Sequence, residues 1–71
     1  MKYVIKSIKF NDYFVAVNQI KNNKYELFWS DKREDAYYFA TKKEAQDSLV
    51  LIHGLIEEDM MLNVIGVEDE D

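Results

Sequence analysis

The stretch Tyr13-Phe14-Val15-Ala16-Val17-Asn18-Gln19-Ile20-Lys21-Asn22-Asn23-Lys24-Tyr25-Glu26-Leu27-Phe28-Trp29 decides the fold class. Residues 13–20 and 25–29 are rich in β-branched and aromatic types, the composition of strands. Asn tolerates a positive φ, so Asn22-Asn23 between two lysines predicts a two-residue hairpin loop. That register sets Ile20 opposite Tyr25, Asn18 opposite Leu27 and Ala16 opposite Trp29. Upstream, residues 2–10 have the same β character, and a tight turn at Asn11-Asp12 would set Phe10 opposite Tyr13 and Ile8 opposite Val15. A three-stranded meander results.

The pairing divides the side chains between two faces. One collects Val4, Ile8, Phe10, Tyr13, Val15, Val17 and Phe28, with Lys6, Gln19 and Glu26 among them. The other collects Tyr3, Ile5, Phe14, Ile20, Tyr25, Leu27 and Trp29, interrupted by Ser7, Lys9, Ala16 and Asn18. The aliphatic face is expected to form the core, because Tyr and Trp carry polar groups that favour a wet or partner-facing position.

Downstream, Asp31 to Asp35 has no apolar member and reads as a polar loop or a single helical turn. Ala36 to Phe39 reads as a short strand or the end of that turn, with Ala36 and Phe39 docked inward and Tyr37-Tyr38 covering the edge. Thr41-Lys42-Lys43-Glu44 has the spacing of a capping box. Ala45, Leu49, Ile52 and Ile56 then form the stripe of an amphipathic helix, widened by Leu51 and Leu55. The apolar period continues past Gly54, so the helix is expected to reach about Glu58. Met61 to Val67 predicts a final strand. The expected architecture is α+β: a small, mainly antiparallel sheet packed against one helix, with residues 1–71 a single domain and 68–71 an acidic, frayed tail.

Composition narrows the function classes. The 71 residues are 48% apolar and 32% charged, as in a globular chain, and they contain no Cys. A disulfide scaffold, a thiol nucleophile and a thiolate metal site are thereby excluded. The N-terminal Met1-Lys2-Tyr3-Val4-Ile5-Lys6 lacks the apolar stretch of a signal peptide, and no apolar run approaches the length of a membrane span. The expectation is a cytoplasmic protein without membrane contact. His53, the one imidazole, reads as a structural or surface residue rather than a general base. The acidic clusters lack the spacing of a calcium loop, and no phosphate loop, nucleophile elbow or zinc-binding His pair occurs. Neither a catalytic nor a metal-ligating residue is assigned, no cofactor is expected, and the chain reads as non-enzymatic.

Charge supplies the positive lead. The net charge of −5 divides into +4 over residues 1–43, nine basic against five acidic, and −9 from residue 44 onward. Glu44, Asp47, Glu57, Glu58, Asp59, Glu68, Asp69, Glu70 and Asp71 are the candidate partner-binding residues, an anionic surface that repels nucleic acid and attracts a cationic protein. The alternative surface is the aromatic face, with Tyr3, Phe14, Tyr25 and Trp29, suited to a partner or to a homodimer. Those aromatics with Lys9 and Lys24 also suit stacking on single-stranded nucleic acid, but the net acidity argues against direct nucleic-acid binding.

The layout Trp29-x6-Ala36-x2-Phe39-x-Thr41-x2-Glu44-Ala45, preceded by a hairpin and followed by a helix and a β-like tail, resembles very small accessory proteins of phages and mobile elements of low-GC Gram-positive bacteria. In size, acidity and paucity of Cys and Pro it is similar to anti-CRISPR proteins. That resemblance implies an inhibitor in the host cytosol that mimics DNA and occupies a CRISPR effector nuclease, a cationic nucleic-acid-binding host protein. It transfers no site residue.

Overall fold

The computed structural model describes residues 1–67. Four strands form one sheet: β1 (Lys2–Ser7), β2 (Asp12–Lys21), β3 (Lys24–Ser30) and β4 (Leu62–Val67). Their order is β3-β2-β1-β4, with every neighbouring pair antiparallel. One helix, α1 (Lys42–Leu55), and a 3-10 turn at Arg33–Asp35 complete a small α+β fold. The expected residues 68–71 tail lies outside the described residues.

The Asn22-Asn23 turn forms as its residues dictate, with Asn23 at φ 67° and Lys21 paired with Lys24. Beyond it the register departs from expectation. An extra residue at Ile20 places Tyr25 opposite Gln19, Leu27 opposite Val17 and Phe28 opposite Ala16, and a second at Val15 places Trp29 opposite Phe14. Each bulge moves later side chains to the other face. The outcome matches apolar with apolar: Leu27 meets Val17 rather than Asn18, and the Trp29 and Phe14 rings meet edge to face at 5.8 Å.

The first connection also differs from the tight turn at Asn11-Asp12. β1 stops at Ser7, opposite Asp12, and residues 8–11 form the loop, closed by Asn11 at φ 57°. The fully buried Ser7 ends the strand. Its hydroxyl donates to the Met60 carbonyl at 2.7 Å and accepts from the Phe10 N–H at 3.2 Å, a local bond that competes with the strand ladder.

These shifts reverse the expected choice of core. The aliphatic face loses Ile8 and Phe10 to the loop, and the Val15 bulge turns Val17 to the other side. α1 therefore covers the aromatic face: Ile5, Phe14, Phe39, Ala45 and Ile52 are buried together, with Tyr3, Leu27, Trp29, Leu49, Leu62 and Val64 packed around them. Ala45 is the small residue of the helix stripe, which leaves room for the two Phe rings. The opposite face keeps a minor cluster of Val4, Ala36 and Val67, bordered by Tyr13 and Ile65.

Residues 36–39 occupy the gap where β2 diverges from β1. The Tyr37 N–H donates to Phe14 O at 2.9 Å, while Tyr3 and Phe39 exchange backbone bonds of 2.9 and 2.7 Å. Ala36 and Phe39 are buried and Tyr37 and Tyr38 exposed, in the expected pattern. Thr41 caps α1, its Oγ1 accepting the Glu44 N–H at 3.1 Å. The helix passes Gly54 as expected but ends at Leu55 rather than near Glu58, with Ile56 already extended. Continuing would set Glu57, Glu58 and Asp59 at the negative end of the helix dipole. Instead Asp59 Oδ1 accepts the Met61 N–H at 2.9 Å and starts the turn into β4.

Candidate functional site: an apolar groove between hairpin and helix

α1 lies over β1 and β4 rather than over the middle of the sheet. The β2–β3 hairpin is thus left uncovered on its helix-facing side, and a groove of about 580 Å³ opens between hairpin and helix. Phe14, Val17 and Tyr25 of the hairpin and Ser48, Leu51 and Leu55 of the helix line it, with Tyr37 and Phe39 beside Phe14. Leu51 is 70% exposed and Tyr25 46%, so apolar surface meets water there with nothing packed on it. The polar groups of this lining are hydroxyls of serine and tyrosine; it holds no carboxylate, imidazole or amine. Such a lining suits burial of apolar side chains and offers no acid–base pair.

The candidate acids flank the helical wall of the groove. Glu44 and Asp47 precede Ser48–Leu55, and Glu57, Glu58 and Asp59 follow it, all exposed. α1 is about 20 Å long by helical rise, more than twice the screening length in physiological salt, so its two ends act separately: Lys42 and Lys43 offset Glu44 and Asp47 at the start, and the net negative charge lies at Glu57, Glu58 and Asp59. The acids are also partly engaged. Lys43 Nζ donates to Asp47 at 2.9 Å, Lys9 Nζ donates to Glu58 at 3.4 Å, and Asp59 serves the Met61 turn. The hydrogen bond to Asp47, with the charge of that carboxylate, raises the Lys43 pKa above its ordinary value. Glu68, Asp69, Glu70 and Asp71 lie outside the described residues.

The alternative aromatic set is divided by the fold. Phe14 is buried, Tyr3 and Trp29 are half-buried in the core under α1, and Tyr25 alone of the four is exposed. Sequence reasoning did not assign Val17, Leu51 or Leu55 to a site. The available signal was Leu51 and Leu55, which widen the helix stripe beyond what one small sheet face needs. His53 is exposed on α1. Among the described residues no three His, Asp or Glu side chains gather to hold a metal ion, and no helix is long and apolar enough to cross a membrane.

Comparison of the chain with protein-family models, curated proteins and solved structures returns no match.

Proposed function

We propose that this protein acts without catalysis, by binding a cationic nucleic-acid-handling protein of the host cytosol. The observation that carries this reading is the apolar groove with the acids Glu57, Glu58 and Asp59 at the C-terminal end of its helical wall. An apolar segment followed by Lys or Arg fits it: the apolar side chains enter between Tyr25 and Leu51, and the basic groups face Glu57 and Glu58. Burial of the apolar residues supplies affinity, while the acids supply steering and specificity.

The test is a capture from host lysate with the wild-type chain, Leu51→Asp, and the double variant Glu57→Lys, Glu58→Lys, each washed at low and high salt. Asp59 is kept because it holds the turn into β4. A Lys/Arg-rich nucleic-acid-binding protein retained by the wild type at low salt and lost by both variants is the expected result. The same proteins on all three chains would refute the groove.

The narrower form of this proposal, an anti-CRISPR inhibitor, is supported by the resemblance in size, acidity and layout. Its measure is target-DNA cleavage by a guide-loaded CRISPR nuclease. Added protein should slow cleavage, and unchanged cleavage across nucleases from low-GC hosts would remove that form.

A further inference from the structure

We infer that two copies of this chain pair through β3, edge to edge and antiparallel about a two-fold axis at Leu27, extending the sheet from four strands to eight. This dimer shares Tyr25 with the groove but does not rest on the partner proposed above. β3 is an edge strand whose one neighbour is β2. Natural edges are protected by Pro, by charge or by shortness. β3 runs seven residues, Lys24-Tyr25-Glu26-Leu27-Phe28-Trp29-Ser30, with no Pro; its charges, Lys24 and Glu26, are of opposite sign, and it carries apolar side chains on both faces.

The residue pattern selects the second copy and its register. With Leu27 on the axis, Tyr25 of each copy lies opposite Trp29 of the other on the groove face, flanking the two Leu27 side chains. On the opposite face Glu26 lies against Phe28, whose 40%-exposed ring gains cover, and Lys24 lies opposite Ser30. The Ser30 hydroxyl donates to Asp35 Oδ2 at 2.8 Å, so the Lys24 ammonium of one copy arrives at a carboxylate of the other, twice per dimer. Other registers lose this match. An axis at Glu26 sets the two Glu26 carboxylates together, an axis at Phe28 sets Lys24 opposite Lys32, and an axis at Tyr25 pairs only residues 24–26 within the strand. Parallel pairing in register sets each charge beside its own kind. β4, the other edge, runs directly in sequence into Glu68-Asp69-Glu70-Asp71, a run of like charge that opposes self-approach.

Charge-swapped variants test the arrangement, because both positions are exposed and the chain need not be redesigned to fold. The wild type, Lys24→Glu and Asp35→Lys are each followed by sedimentation from about micromolar to about millimolar protein, with circular dichroism confirming the fold. Each single variant should dissociate roughly tenfold or more readily than the wild type, since two attractive contacts become repulsive. Mixing the two single variants restores both contacts, so a heterodimer as tight as the wild-type dimer is expected. A wild type that stays monomeric throughout overturns the proposal. So do a dimer indifferent to both substitutions and single variants whose mixture fails to associate.

Discussion

Ser7 shows how one hydroxyl shapes this fold. It is wholly buried, and its Oγ serves Met60 O and Phe10 N together, tying the β1–β2 loop to the segment that leads into β4. Removing it leaves a part-buried carbonyl and N–H without their partner. Ser7→Ala should therefore lower unfolding free energy by about 1–3 kcal/mol in urea titration. A loss well under that range would mean that water replaces the hydroxyl. Neither Ser7 nor Met60 announces this in sequence, since the two are remote along the chain and meet only when β1 pairs with β4. Nor does sequence reveal Met61 at φ 54°, a conformation usually left to Gly or Asn.

At the scale of the element, α1 is the part whose start was legible and whose end was not. Thr41 and Glu44 mark the N-terminus by local chemistry alone, and the hydrogen bond between them is present. Past the C-terminus, Asp59 takes the Met61 N–H two residues on, and Lys9 reaches Glu58 from the β1–β2 loop, a contact only the fold supplies. Gly54 lies inside the helix, and a Cβ there would meet nothing within 4 Å. Gly54→Ala should stabilise the protein by about 1 kcal/mol, through helix propensity and a less flexible unfolded chain. A rise in melting temperature of roughly 4–8 °C is the corresponding observation. No rise would show that helix propensity at that position does not limit stability.

Over the whole molecule, the contacts are unevenly distributed. β1 is flanked by β2 and β4 and covered by α1, whereas the hairpin beyond Val17 projects from the body, consistent with extents of 39 × 22 × 18 Å. Backbone amides of Val4 and Ile5 should be the slowest to exchange with deuterium. Those of residues 18–26 should exchange much sooner, because their ladder lies on the exposed hairpin. In a dimer joined at β3, protection of residues 24–30 should rise with protein concentration while that of Val4 and Ile5 stays the same. Uniform protection along β2 at low concentration would contradict this division. The same unevenness creates the groove, since one helix of fourteen residues cannot cover four strands.

The amino-acid sequence by itself determined the strands, the Asn22-Asn23 turn, the capped start of α1 and the α+β class. Each follows from side-chain period or from bonds between residues a few positions apart. Only the tertiary structure decided which sheet face became the core. The bulges at Val15 and Ile20 and the early end of β1 at Ser7 are choices among nearly equal local registers, settled by which arrangement buries Phe14, Leu27 and Trp29 under Ala45 and Ile52. The site follows from that decision. The groove exists because α1 settled over β1 and β4, and no short stretch of sequence encodes the space a helix leaves uncovered.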